Sequence, residues 1–221
     1  DGTIRGTVGG GVREADVIAA CRELQRRGGA RLLAVDFDAG LDGGDGPVCG
    51  GAMEVFMERI DPARRVVIAG AGHVAWALHR VLALLDRASV VVDPRREWAS
   101  EERFPNATLL HLPFPDGVAA AGIGPADAVV LVTPGHEQDR ESLRAALATP
   151  AAYIGMIGSK TKVATVFAAL RGEGVSDGQL ARVHAPIGLA IGARTPAEIA
   201  VAIAAEMISL RARQIKMEPT A

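Results

Sequence analysis

From Val66 to the end of the chain, short apolar runs alternate with longer segments in which apolar positions recur at helical spacing. Short continuous apolar runs are typical of strands buried on both faces, and the longer segments predict helices. Strands are predicted near 66–70, 89–93, 108–111, 127–132 and 152–156, and helices near 73–85, 138–147 and 159–170. This alternation predicts a parallel sheet with helices on both of its faces.

A last long helix is predicted to begin at Thr195-Pro196, because threonine is a good N-cap and proline suits the first helical position. Apolar side chains then recur at helical spacing, at Ile199, Ile203, Met207 and Leu210. This apolar face is expected to pack on the sheet or on another copy of the chain.

Before residue 61 the pattern differs, with glycine-rich turns between short elements. Strands are predicted near 4–8, 31–37 and 52–58, and a helix over 12–27. Residues 38–47 are rich in glycine and aspartate, which predicts a mobile surface loop. A boundary is predicted at Asp61-Pro62, since the residue before a proline disfavours helical conformation.

These patterns together predict an α/β protein of two domains. The larger, over 62–221, is expected to be a Rossmann-like doubly wound parallel sheet. The smaller α/β domain, over 1–61, starts directly in strand-like sequence and is therefore expected to be N-terminally truncated.

The first apolar run of the larger domain leads into a glycine turn that is typical of dinucleotide binding. Gly70 allows a tight turn, Gly72 lets the backbone approach a phosphate, and Ala75 lets the following helix pack closely on the strand. Asp93 ends the next strand, at the position where a ribose hydroxyl would lie. Asp93 is equally typical of an ordinary turn at a strand end.

Composition narrows the function. Hydrophobic residues make up 49% of the chain and charged residues 23%, so a full core is expected. The net charge of −2 predicts no binding to nucleic acid, and the apolar runs are too short to span a membrane. Two cysteines, without a signal-peptide pattern, suit a reducing compartment and predict a cytoplasmic protein.

Two more polar turns follow predicted strands of the same sheet. One carries Thr133 and His136, and the other carries Gly158, Ser159 and Lys160. Because the carboxyl ends of parallel strands share one edge of the sheet, these turns are expected to line one crevice with the glycine turn. Backbone N–H groups, a hydroxyl and an ammonium at 158–160 suit an anion, although the glycine spacing is not that of a P-loop.

Histidines and cysteines offer further candidate chemistry. His73, His136 and His184 all lie in predicted turns, but no pair has metal-binding spacing, so a structural role or a hydrogen bond to phosphate is favoured and no metal is predicted. Cys49, between glycines, suits either a sulfur ligand or carrier or a structural role, whereas Cys21 lies on an apolar helix face and is predicted to be a small buried residue.

The acid–base groups expected of an enzyme are few. The single tyrosine, Tyr153, lies in a predicted strand, and neither a serine nucleophile elbow nor a closely spaced carboxylate pair occurs. The charged run over 95–103 is interpreted as a solvated helix face. No catalytic residue is predicted, so binding or delivery competes with catalysis.

Taken in order, the motifs resemble those of the XdhC/CoxI family, accessory proteins for xanthine dehydrogenase and related molybdenum hydroxylases. The resemblance is carried by segments 7–11, 48–55, 70–74, 133–139, 153–160, 184–189 and 192–200. It implies a chaperone that binds molybdenum cofactor (molybdopterin), assists its sulfuration together with a cysteine desulfurase, and helps to insert it into the hydroxylase.

The resemblance also implies roles for individual residues. Gly70, Gly72 and His73 would hold a phosphate, with Asp93 on a hydroxyl. Ser159 and Lys160 would hold a second anionic group. Thr133, His136 and Gly158 would complete the cofactor site, with Cys49 at the molybdenum end. Family members often carry cysteine where this chain has Val12, which leaves Cys49 as the sulfur candidate.

Two alternatives remain open on the sequence alone. The glycine turn with Asp93 also suits an NAD(P)-dependent oxidoreductase, in which Asp93 would favour NAD over NADP. A nucleotide-sensing regulatory protein, dimerised through its last helix, is the other. In every case a homodimer is the default expectation.

Overall fold

The computed structural model of the chain describes residues 3–9, 11–36, 52–59 and 64–217. The chain divides into two compact units, Asp1–Asp61 and Pro62–Ala221, which are treated separately below. The predicted loop over 38–47 and the predicted sulfur residue Cys49 lie outside the described residues.

The first unit packs a helix against a two-stranded antiparallel sheet. Helix α1 spans Gly11–Arg27, and strands β1 (Ala30–Asp36) and β2 (Ala52–Glu58) pair in register from Ala30↔Glu58 to Asp36↔Ala52. Side chains that alternate along the strands turn towards α1 and bury Val17, Val35 and Met57. Cys21 packs against this small core, with its Sγ 3.4 Å from Met57 Sδ, but it is half-buried rather than buried as predicted.

The strand predicted near residues 4–8 is wrong. Residues 3–9 form neither helix nor strand, and Gly6 and Gly9 adopt positive φ angles that interrupt an extended backbone. Within this segment the Thr7 hydroxyl donates to Glu14 at 2.5 Å and accepts from the Gly9 N–H at 3.2 Å. Such local side-chain bonds compete with strand pairing.

The second unit is a six-stranded sheet in which every pairing is parallel. Its strands lie in the order β5-β4-β3-β6-β7-β8, the Rossmann arrangement, so the predicted fold class is confirmed. The strands are β3 (Val66–Ala69), β4 (Ser89–Val92), β5 (Thr108–Leu110), β6 (Ala128–Leu131), β7 (Tyr153–Met156) and β8 (Val183–His184).

Helices cover both faces of this sheet. They are α2 (His73–Leu84), α3 (Phe114–Ala120), α4 (His136–Leu147), α5 (Lys160–Gly172), α6 (Asp177–Leu180) and α7 (Pro196–Met217). Helices α3, α4 and α5 share one buried core with Val67 and Ala69, whereas α2 and α7 share the other with Val66 and Ile68. Because alternate residues of β3 enter different cores, the whole strand is apolar.

The predicted last helix is confirmed. Helix α7 begins at Pro196, Thr195 Oγ1 accepts from the Glu198 N–H at 3.2 Å, and the Glu198 carboxylate accepts from the Thr195 N–H at 2.9 Å. Ile203 and Met207 are buried against the sheet and α2, so this face packs within the chain.

Three elements escaped the sequence patterns because each is short or interrupted. Helix α3 contains Gly117, whose added Cβ would lie 2.1 Å from Val92 Cγ1, so a residue that looks like a helix breaker is a close-packing site. Helix α6 spans one turn, closed by a capping box at Ser176 and Gln179. Strand β8 has two residues, too few to show a period.

Among the described residues, no helix combines the length and the apolar character needed to cross a bilayer.

One buried carboxylate fastens the amino edge of the sheet, just before β6. Asp127 accepts from the Arg65 backbone N–H at 3.0 Å, from Arg65 Nη2 at 2.6 Å and from the Gly124 N–H at 2.9 Å. Burial alone would raise the pKa of Asp127, but the hydrogen bonds from Arg65 and Gly124 outweigh it and the pKa is lowered.

Asp127→Asn is expected to lower the free energy of unfolding by about 1–3 kcal/mol at neutral pH, since an amide cannot accept from all three donors. A carboxylate with a lowered pKa stabilises the fold above its unfolded value of about 3.9 and loses that contribution as the pH falls further. Below about pH 5, the difference in free energy of unfolding between wild type and variant should therefore become smaller as the pH falls. Urea denaturation at several pH values measures this difference. A stability difference that does not change with pH would contradict the stabilising role of the Asp127 carboxylate. An equal loss of stability in the exposed control Asp116→Asn would contradict it too.

Candidate functional site

The carboxyl ends of β3 and β6 form the central crevice of the sheet. These strands are neighbours, and the helices that follow them, α2 and α4, cover opposite faces. A parallel sheet opens at such a reversal of strand order, and ligands bind there. The turns at 70–72 and 133–135 are the two sides of this crevice.

The two glycines of the first turn differ in what they do. Gly70 has a φ of +106°, and an added Cβ would lie 2.5 Å from the Val132 carbonyl oxygen, so the chain itself requires glycine there. Gly72 has an ordinary extended backbone, with φ −70° and ψ −170°, and an added Cβ would meet no described atom within 4 Å. Packing among the described residues therefore does not require glycine at this position, and the close approach of a phosphate to Gly72 remains a prediction.

Helix α2 presents an N-terminus suited to an anion. It begins at His73 after the N-cap Gly72, with no side-chain cap and no acidic residue in its first turn. Its first N–H groups and the positive end of its dipole thus face the crevice. Helix α4 also begins after a glycine, Gly135, but carries Glu137 and Asp139 in its first turn, which offset its dipole.

Asp93 holds the glycine turn in place. The carboxylate is fully buried and accepts four hydrogen bonds: Oδ2 from the Ala71 N–H at 2.9 Å and from Arg95 Nη2 at 2.7 Å, and Oδ1 from Arg95 N–H at 3.0 Å and Nε at 2.9 Å. Burial would raise the pKa of Asp93, but these bonds outweigh it and the pKa is lowered. The ribose role of Asp93 remains a prediction, and a hydroxyl would have to compete with these donors.

Beside Asp93 lies a group of cationic and aromatic side chains that sequence reasoning missed. The predicted helix at 95–103 is wrong, because the segment is a succession of turns, whereas the predicted exposure holds for Arg96, Glu97, Glu101 and Glu102. Arg95 and Arg103 lie 5.0 and 4.9 Å from the centroid of the Trp98 ring, and the His73 ring meets Trp98 edge-on at 5.9 Å. We call Arg95, Trp98 and Arg103 the cationic corner.

On the other side of the crevice, three polar residues join β6, α4 and α5. The Thr133 hydroxyl donates to Asp139 Oδ1 at 2.5 Å, and Asp139 Oδ2 pairs with the Lys162 ammonium. Thr133 and Asp139 are buried, and only 18% of the Lys162 side chain is exposed. The buried lysine at this edge is thus Lys162, two residues beyond the predicted Lys160.

The remaining residues of the two predicted turns, after β6 and β7, lie at or near the first turns of helices α4 and α5. Ser159 caps α5, its hydroxyl oxygen accepting from the Lys162 N–H at 3.2 Å. Gly158 lies against the Lys162 side chain, where an added Cβ would be 2.9 Å from Cδ. Lys160 is exposed on the first turn of α5. The backbone of His136 begins α4, and its side chain is outside the described structure.

A second polar cluster fixes the loop after β8 to α7. The Tyr153 hydroxyl donates to Glu206 Oε2 at 2.6 Å, and the same oxygen accepts from the Gly188 N–H at 3.0 Å. The His184 ring stacks on Tyr153 with centroids 4.8 Å apart. Burial, the hydrogen bond and the charge of Glu206 together raise the pKa of Tyr153.

No group of three or more His, Cys, Asp or Glu side chains is arranged to hold a metal ion within the part of the chain that the structure describes. His73 lies near Trp98 and His184 near Tyr153, in separate clusters. What the crevice offers is therefore backbone N–H groups and cationic side chains, the donors that suit a phosphate ester.

The sheet order and the glycine turn define the second unit as a Rossmann-type domain. A family model described as the XdhC Rossmann domain matches residues 66–207, almost all of this unit. The chain belongs to the XdhC family, and the predicted family is confirmed.

Three known proteins illustrate the relationship. The chain is 38% identical to the uncharacterized protein YqeB of Escherichia coli over 96% of its own length and 39% of that protein's. It is 29% identical to a protein of Bacillus subtilis described as a probable xanthine dehydrogenase subunit, over 72% of the chain and 46% of that protein. The chain thus spans less than half the length of these curated relatives.

A solved structure described as a xanthine dehydrogenase from Bacillus halodurans superposes with a TM-score of 0.60, covering 96% of this chain and 84% of that one. At 21% identity this match supports the fold alone.

Lys162→Met is expected to destabilise the protein by about 2–3 kcal/mol, because the buried Asp139 carboxylate would lose its charged partner. Chemical denaturation measures the loss, and Lys160→Met, on the same helical turn but exposed, is the matched control and should change stability by less than about 0.5 kcal/mol. The double variant Asp139→Asn/Lys162→Met should recover part of the loss. Equal effects of the two lysine changes would refute the buried pair.

Tyr153 is the only tyrosine of the chain, so the ultraviolet absorbance of phenolate reports on it alone. Because folding raises the pKa of Tyr153, its contribution to stability is present below the unfolded value of about 10 and is lost as the pH rises above it. The phenolate signal should appear only together with loss of circular dichroism, and at lower pH in Glu206→Gln. Ionisation near pH ~10 in the folded protein would contradict the cluster.

Proposed function

We propose that this chain is the cofactor-binding part of a maturation factor for xanthine dehydrogenase or a related molybdenum hydroxylase. Membership of the XdhC family supports the role, and one similar protein is described as a probable xanthine dehydrogenase subunit. The observation that carries the site is the open N-terminus of α2 at Gly72 and His73, beside a turn that Gly70 and Asp93 fix.

The proposed ligand is molybdenum cofactor, bound through its phosphate end. Backbone N–H groups of α2 would hold the phosphate, and Gly72 would let it come close, since a side chain there meets no described atom. The bound group supplies a molybdenum centre held by a pterin dithiolene. This chain's residues orient the phosphate end, and Cys49 stays the predicted sulfur residue for the molybdenum end.

Delivery is favoured over catalysis by how the acid–base groups are used. Tyr153 is bonded to Glu206 and its pKa is raised, which makes it a poor proton donor or acceptor near neutral pH. Asp139 is paired with Lys162, and Asp93 with Arg95. Tyr153, Asp93 and Asp139 are thus each engaged by a partner within the chain.

The proposal extends to partners and place of action. The hydroxylase would receive the cofactor, a cysteine desulfurase would supply sulfur, and both encounters would take place in the cytoplasm. The homodimer remains a prediction from the frequency of two-fold symmetric assemblies. An NAD(P)-dependent oxidoreductase is the alternative, supported by the glycine turn, and it predicts turnover of a carbonyl compound.

An anaerobic titration of the chain with molybdopterin, with NADH in parallel, tests the proposal. Gly72→Val is expected to weaken molybdopterin binding at least about tenfold, because the side chain would occupy the path of the phosphate, while thermal unfolding stays within a few degrees of wild type. Gly172→Ala is the matched control, a second glycine whose added Cβ meets open space.

If Gly72→Val weakens molybdopterin binding and the chain does not turn over NADH, the result supports the function of a cofactor carrier. Equal affinities of wild type and Gly72→Val for molybdopterin would contradict binding of the phosphate at this site. NADH binding with turnover and no molybdopterin binding would replace the proposal by the oxidoreductase.

A further inference from the structure

The side chain of Arg95 keeps donors that its partner Asp93 does not use. A guanidinium carries five N–H groups, and the paired contacts of Nε and Nη2 with Asp93 use two of them. The other three point away from the carboxylate, and 38% of the side chain is exposed. Asp93 therefore holds Arg95 in one orientation, and the outer edge of the guanidinium, on which the charge of Glu97 also acts, can bind a second anion.

Hydrogen bonds also fix the other residues in and around the cationic corner. Arg103 Nη1 donates to the Trp98 carbonyl oxygen at 2.6 Å, a neutral acceptor, so the positive charge of Arg103 is not cancelled by that bond. His111 Nε2 lies 2.8 Å from the Ala99 carbonyl oxygen, and Ala99 itself is fully buried. The corner is thus built before any ligand arrives, which lowers the entropic cost of binding.

Its position relative to the glycine turn is fixed by a single oxygen. Asp93 Oδ2 lies 2.9 Å from the Ala71 nitrogen and 2.7 Å from Arg95 Nη2, so Arg95 stands directly beside the turn that faces a phosphate. In Rossmann domains the ribose of a nucleotide lies at this strand end. A carboxylate that is free there accepts from a ribose hydroxyl, whereas an arginine accommodates a phosphate on it.

We propose that the cationic corner binds a phosphoryl group carried on the ribose of a nucleotide whose other phosphate lies at the N-terminus of α2. Arg95 supplies N–H donors, Arg103 supplies a second positive charge, and both guanidinium groups contact the ring of Trp98. This assignment reverses the preference for an unphosphorylated ribose that Asp93 alone predicted. It rests on the proposed function only for the phosphate at α2, and not on molybdopterin.

Three adenosine nucleotides test the position of the second phosphate. Adenosine 2′,5′-bisphosphate carries it on the ribose, ADP carries it on the first phosphate, and 5′-AMP lacks it. Calorimetric titration is expected to give at least about tenfold tighter binding of the bisphosphate than of either ADP or 5′-AMP. Because ADP and the bisphosphate carry the same number of phosphoryl groups, the comparison separates their position from their number.

Variants locate the selectivity. Arg95→Gln and Arg103→Gln should each reduce the preference for the bisphosphate to within about threefold, with 5′-AMP binding little changed. Arg96→Gln, the exposed neighbour, is the matched control and should keep it. Because Arg95 is the partner of the buried Asp93, Arg95→Gln can also lower stability. Arg103→Gln tests the same preference without removing that pair. In a Trp76→Phe background Trp98 is the single tryptophan, and its fluorescence should respond to the bisphosphate.

The outcomes separate this inference from the proposed function. Equal binding of the three nucleotides, binding of none of them, or a preference that survives both arginine changes would overturn the cationic corner as a ribose-phosphate site, whether or not molybdopterin binds. A selective bisphosphate response in a chain that fails to bind molybdopterin would keep the corner and reject the maturation role.

Discussion

The crevice depends on one buried anion, the Asp93 carboxylate at the end of β4. An uncompensated charge in that position would be very costly, and four N–H donors from Ala71 and Arg95 make it stable instead. Through those bonds a single side chain sets the position of the glycine turn, joins β3 to β4 and orients Arg95. The binding surface is therefore rigid because of a charge that no ligand needs to touch.

Residues around the crevice fall into two groups by what their polar atoms do. Gly70, Asp93 and Asp139 serve the chain itself, by close approach to Val132 or by hydrogen bonds that are complete without a ligand. Gly72 and the first N–H groups of α2 have no such internal role among the described residues. In the proposed site, backbone N–H groups of α2 therefore hold one phosphate, while Asp93 fixes the turn and Arg95 adds a positive charge beside it.

The sequence could predict those features that depend on local periodicity and spacing, and it could not predict those that depend on contacts between distant elements. Apolar runs predicted five of the six strands of the larger sheet, and the glycine turn and the Thr195 cap are local patterns that specify their own geometry. The two-residue β8 has no period to detect. Spacing along α5 could not tell Lys160 from Lys162, because which one is buried depends on Asp139 of another helix. The strand predicted near residues 4–8 failed since its glycines take positive φ.

A protein that carries a reactive cofactor must bind it firmly without offering groups that would react with it. In this chain two pairs of ionisable side chains lie beside the crevice, Asp93 with Arg95 and Asp139 with Lys162, and the carboxylate of each pair is buried. Pairing with Arg95 holds Asp93 in its charged form, and a carboxylate held in this way is a poor proton donor or acceptor near neutral pH. The same pairing leaves the outer edge of Arg95 able to recognise an anion. Rigid electrostatics of this kind suits selection of a phosphorylated ligand better than its conversion.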